Sequence, residues 1–153
     1  MHADCYLAQH WKTLVRHELT DNNKYKQSLL VLSYGKTNAV DFLSKKGYGN
    51  VAHIDFKNPQ DDKRMHHNEP TFCHPASLDG IYVEKIFSIF ENEEKEYLVK
   101  EIRRIARPSC LLMIDLYTSA PKYKDVLELQ SWLIGEFDWT VQHNDRGQCI
   151  LQK

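Results

Sequence analysis

The chain has 153 residues, 42% of them hydrophobic and 27% charged, with a formal net charge of −1. That length and mix describe one globular domain with a sizeable core, and they exclude intrinsic disorder. The near-neutral balance also argues against nucleic acid or an anionic membrane as the partner. The first residues, MHADCYLAQHWKTLVRHEL, are apolar only at intervals, so they predict neither a secretory signal nor a membrane span. Four scattered cysteines (Cys5, Cys73, Cys110, Cys149) do not form a disulfide framework and point to a reduced, intracellular setting, the cytoplasm.

In chain order, Leu7, Trp11, Leu14 and Val15 recur at helical spacing and predict an amphipathic N-terminal helix over residues 3–19, packing on the rest of the domain. Residues 28–33 read as a strand covered on both faces. Thr37 or Asn38 then caps a short helix bearing Ala39, Val40 and Leu43; Gly47 and Gly49 close it, and residues 51–56 form a second strand. The stretch LLVLSYGKTNAVDFLSKKGYGNVAHID is thus a strand–helix–strand unit of nucleotide-binding type. Asp55 stands twenty positions beyond Gly35, where an acid meets a ribose.

Residues 57–70 are polar and predict a loop; residues 71–73 allow a minimal strand and residues 79–83 a better one. Asn92 caps a helix running to Ala106, with Glu93, Glu94 and Glu96 in its first turn and Arg103, Arg104 and Arg107 around its end, matching the helix dipole. Pro108 stops it, and residues 111–116 form another buried strand. A helix over 123–135 is followed by strands near 139–142 and 148–151, joined as a hairpin through residues 144–147. The order predicts a three-layer α/β sandwich around a mostly parallel Rossmann-like sheet of seven or slightly fewer strands, ending in an antiparallel pair. A ligand site in such a sheet lies outside the carboxyl ends of the strands.

Over nearly its whole length the chain resembles the class I S-adenosylmethionine-dependent methyltransferases. VLSYGKTNAVDFLSKKGYGNVAHIDF resembles their first motif and acidic second-strand end, LDGIYVEKIFSIF their fourth strand, and EKEYLVKEIRRIARPSCLLMID the helix, corner and fifth strand. Val83-Glu84-Lys85 and GYGNVAHIDF are similar to the elongation-factor lysine methyltransferase-like group. The resemblance implies S-adenosylmethionine as cofactor, held by Ser33, Gly35, Asp55 and Cys73. It implies an acceptor, a protein lysine, bordered by Glu84 and Tyr117. The partner would then be a protein substrate. In the family's glycine-rich turn, acid-x-Gly-x-Gly-x-Gly, the positions here hold Val31, Ser33, Gly35 and Thr37, so one glycine remains. The acid against the adenine is replaced by Cys73-His74-Pro75, the Pro-Gly-Gly corner by Pro108-Ser109-Cys110, and the short segment before the fourth strand drops a connecting helix. Those departures support an alternative: a catalytically inactive member serving as a binding or structural subunit.

Other constellations take blander readings. Gly35-Lys36-Thr37 lacks the glycine five positions earlier that a phosphate loop needs, since Leu30 is there. His66, His67, Cys73 and His74 lack zinc-finger spacing and read as a polar loop rather than a metal site. Lys100, Arg103, Arg104 and Arg107 form a solvated helix face rather than a nucleic-acid surface. His53 reads as a satisfied sheet-surface histidine. Trp11, Tyr34 and Trp132 are candidates to stack on an adenine, each with packing as the simpler role.

Overall fold

A computed structural model describes residues 27–57, 73–116 and 123–153. The predicted helix over 3–19, most of the polar loop after the second strand, and Tyr117 lie outside these residues. The elements are β1 (Leu29–Ser33), α1 (Ala39–Lys45), β2 (Val51–Asp55), β3 (Leu78–Glu84), α2 (Ile86–Ile89), α3 (Asn92–Ile105), β4 (Ala106–Asp115), α4 (Tyr123–Phe137), β5 (Thr140–Asp145) and β6 (Gln148–Gln152). Among the described residues the strands form a six-stranded sheet in the order β2-β1-β3-β4-β6-β5. β1 pairs in parallel with β2 and β3, and β3 with β4; β6 runs antiparallel to both β4 and β5. This is the expected Rossmann-like sandwich at the reduced end of its strand count.

Strand alternation builds the layers, because successive side chains leave a sheet on opposite faces. Leu30, Leu32, Ile54, Ile81, Val83, Leu112, Ile114 and Leu151 face a core completed by Phe87 of α2, Leu98 and Ile102 of α3, and Leu133 and Phe137 of α4. Leu29, Val31, Tyr82, Leu111, Met113 and Ile150 face the other way and share a second cluster with Ala39 and Leu43 of α1 and with Tyr48. Both faces of the central strands are therefore apolar, which is why β1 reads as a continuous hydrophobic run. No helix among the described residues is long and apolar enough to cross a membrane.

Several boundaries differ from the sequence reading for local reasons. The N-cap of α3 is Glu91, not Asn92: Glu91 and Glu94 exchange side-chain bonds with each other's backbone amides as a capping box. β4 starts at Ala106, directly after α3, instead of at Leu111. Its first turn of chain, Arg107-Pro108-Ser109, is exposed, and Ser109 takes φ +73° where the pairing with β3 shifts register. The short helix α2 was not expected; Lys85, at φ +68°, turns the chain out of β3 into it, and the Ser88 hydroxyl fastens it to the Leu116 carbonyl at 2.5 Å. β5 extends to Asp145, so Arg146-Gly147 alone make the hairpin turn.

The basic residues around the end of α3 are spent inside the molecule. Arg103 donates to the carbonyls of Glu136 and Phe137, the end of α4. Arg104 bonds Glu101 through two nitrogens and also reaches the Cys73 carbonyl, and Arg107 pairs with Asp79 at 2.7 Å. At the far end of the sheet Gln130, 5% exposed, holds the hairpin. Its Nε2 donates to Asn144 Oδ1 and to the Asp145 carbonyl, while its Oε1 accepts the Gly147 amide at 2.7 Å.

Gln130→Ala is expected to lower stability by about 1–3 kcal/mol, because it leaves buried backbone groups without their partner; a urea midpoint unchanged within error would contradict that role. Burial pushes the thiols of Cys110 and Cys149 up to about 12 from an ordinary 9. A raised acid pKa keeps the neutral thiol in the fold, so its contribution is intact below about 9 and is lost as pH rises from there toward 12. Both thiols should accordingly resist iodoacetamide in the folded protein at pH 8 and react in urea, as mass mapping of the alkylated peptides would reveal.

Candidate functional site

The carboxyl ends of the parallel strands carry a row of polar side chains on the face that α1 covers. Ser33 is in register with Asp55 on one side and with Glu84 on the other; Glu84 is opposite Asp115, and Asp115 opposite Gln148. On β1, β3 and β4 the change from Val31, Tyr82 and Met113 to Ser33, Glu84 and Asp115, two positions later on the same face, marks where the core gives way to the row. The row lies where the chain order reverses, with β2 on one side of β1 and β3 on the other. In open α/β sheets that crevice takes ligands.

Asp55 fastens the loop after β1. Its Oδ1 accepts the Gly35 amide at 2.7 Å and the Lys57 amide at 2.9 Å, while Oδ2 takes no hydrogen bond among the described residues. Gly35 has φ +100°, a conformation that side chains disfavour. Space is not the constraint there, since an added Cβ would meet only the Lys57 side chain at 3.6 Å. The Ser33 hydroxyl donates to the Gly35 carbonyl at 2.8 Å and lies 2.8 Å from His53 Nε2. Both polar groups of Gly35 are thus held by side chains from β1 and β2. Because its amide is occupied, the Gly35-Lys36-Thr37 turn does not present that donor to a phosphate. Thr37 Oγ1 instead accepts the Ala39 amide at 3.1 Å, capping α1 where Asn38 makes no side-chain cap.

On the other side of the crevice Glu84, 8% exposed, accepts the Tyr82 hydroxyl at 2.9 Å. Asp115 is 6% exposed, and its carbonyl receives the Lys85 amide at 2.7 Å. That bond joins the ends of β3 and β4 much as Asp55 joins β1 and β2.

The structure brings Ser33, Gly35, Asp55 and Glu84 to one end of the sheet. It does not bring Cys73 there. Cys73 precedes β3, and its carbonyl is bonded by Arg104 of the last turn of α3, while the Ala76 and Ser77 amides donate to the Arg104 and Ile105 carbonyls. These contacts place it at the amino ends of the strands. The family order suggested otherwise because residues 71–73 were read as a strand; Cys73 itself lies in a loop. Trp132 packs from α4 against the opposite core, away from the row, and the described residues hold no cluster able to bind a metal ion. His53, read as a satisfied sheet-surface histidine, has the Ser33 hydroxyl as its partner. Its position two before Asp55 was the available signal, because it puts both on the Ser33 face.

No family model matches the chain, and no curated protein matches it significantly. Solved structures do. An S-adenosylmethionine-dependent methyltransferase from Aquifex aeolicus superposes with a TM-score of 0.60 at 14% identity, over 92% of this chain and 97% of that one. A candidate type 11 methyltransferase from Sulfolobus solfataricus gives 0.54 at 14% identity, over 90% and 91%. The PH0226 protein of Pyrococcus horikoshii gives 0.58 at 14% identity, over 99% and 91%. At such low identity the shared property is the architecture, and it agrees with the strand order, the crossovers and the antiparallel end found above: the chain has the fold of the class I S-adenosylmethionine-dependent methyltransferases.

Proposed function

We propose that the chain binds S-adenosylmethionine or its demethylated product outside the carboxyl ends of β1 and β2, and that it serves methyl transfer to a protein amine, a lysine side chain. The observation that carries this reading is the division of labour at Asp55: Oδ1 shapes the loop, and Oδ2 is left to accept from a ribose hydroxyl. Gly35, with its positive φ and no crowding side chain, supports the same half of the ligand. The residues present fit the nucleoside.

The cofactor, when bound, supplies a methyl group on a positively charged sulfur. The chain's own task is alignment and proton acceptance. Glu84, steadied by Tyr82, is the carboxylate that would draw a cationic amine to the β3 side of the crevice. Tyr117 remains a candidate neighbour of that acceptor, from the segment after β4.

A specific observation favours a second reading, in which the fold serves as a binding or structural subunit without cofactor. Val31, where the family pattern has an acid, is 0% exposed in the core under α1, and Thr37 replaces the last glycine of the turn. Neither residue offers an anchor for the amino-acid end of the ligand.

Calorimetric titration with S-adenosylmethionine and S-adenosylhomocysteine separates the two. Dissociation constants of roughly 1–100 µM support the first reading, and no heat up to millimolar ligand overturns it. If binding is found, Asp55→Ala should weaken it by more than about tenfold, the worth of a charged hydrogen bond, while the protein stays folded by circular dichroism. If it is not, Ser33→Gly with Thr37→Gly should create binding that the natural chain lacks, because the two changes clear the turn.

A further inference from the structure

We infer that His53 is a positioning residue for the loop after β1, and that its task is to make a serine tolerable at position 33. The argument starts from proton counting. A serine hydroxyl carries one proton, and Ser33 gives it to the Gly35 carbonyl at 2.8 Å. The 2.8 Å contact with His53 Nε2 must then run the other way, with the imidazole N–H donating and the Ser33 oxygen accepting. That requires a proton on Nε2 of the imidazole.

The consequence for the loop is geometric. Ser33 ends β1 in register with Asp55, and His53 lies two pairs back along β2, opposite Val31 and on the same face. A donor from β2 and an acceptor on Gly35 together hold the hydroxyl of Ser33, a residue 1% exposed. The family resemblance puts a glycine at this position. Here the side chain is present but held in place by its neighbour, so the Gly35 carbonyl is held by Ser33 while the Gly35 amide is held by Asp55. Remove His53, and the serine loses the donor that holds its oxygen. Remove the serine, and His53 has nothing left to position.

The ligand part of this inference rests on the cofactor reading above; the loop part does not. A double-mutant cycle over His53→Ala and Ser33→Gly tests it, read first on unliganded protein by hydrogen exchange at the Gly35 amide and then by S-adenosylhomocysteine affinity. His53→Ala should speed Gly35 exchange and weaken the ligand by about tenfold each, the net worth of one hydrogen bond. In the Ser33→Gly background the same change should move neither by more than about twofold. His53→Gln, which keeps an N–H donor, should recover most of the loss. Nitrogen-15 spectra of the wild-type ring should show the Nε2–H tautomer. Equal effects of His53→Ala in both backgrounds, or an Nδ1–H ring, overturn the inference. If His53→Ala does not fold, the ring tautomer and the His53→Gln variant decide instead. Absence of ligand binding with the exchange coupling intact defeats the cofactor reading and upholds the role of His53 in the loop.

Discussion

One carboxylate organises the end of the molecule where a ligand would sit. Asp55 gathers two backbone amides, Gly35 and Lys57, that no strand or helix would otherwise satisfy. A chain leaving a parallel strand must turn sharply to start the crossover helix, and the turn exposes amides that water or a side chain has to meet. An acid on the neighbouring strand meets them without lengthening the loop. Only five residues therefore separate the end of β1 from the start of α1. That brevity lets Ala39 and Leu43 reach back to Val31 and Leu29 in the second core cluster. The carboxylate thus sets the turn, and the turn sets how closely α1 follows β1.

The same strands carry apolar contacts along their length and polar ones at their ends. Burial at the row of Ser33, Glu84 and Asp115 is close to complete, which is costly for carboxylates unless they are bonded. Tyr82 meets the cost for Glu84 from within its own strand, two residues earlier on the same face. The site is thus built by residues that also belong to the core. Val31, for its part, packs under α1 in the second apolar cluster, so the position belongs to the core of the fold.

What the sequence made legible follows from what each signal measures. Hydrophobic runs located β1, β2, β3, α3 and β6, because core strands and amphipathic helices differ in period. They did not reveal α2, since Ile86-Phe87-Ser88-Ile89 continues the apolar run of β3 and only the left-handed Lys85 separates them. The early start of β4 was hidden by Arg107-Pro108-Ser109, a polar segment that stays in the sheet through a register shift. The sequence placed Gly35, Asp55 and Glu84 at or just past strand ends, and the fold has them there. Cys73 was misplaced because it was read as the end of a strand over 71–73, whereas it lies in a loop tied to the last turn of α3. The partner of His53 was not legible because it depends on register, and register is a property of two strands that neither shows alone.

The insertion of β6 between β4 and β5 has a kinetic side. β5 is made before β6, yet it has no contact edge of its own with β4 and waits for the later strand to enter between them. Until then β4 displays an unfilled margin whose inner residues, Leu112 and Ile114, are among the most buried in the finished protein. Such a margin is open to wrong partners during synthesis. The two-residue turn at Arg146-Gly147 shortens that interval: the hairpin can form locally within microseconds and dock as a unit, so that one event seals the edge.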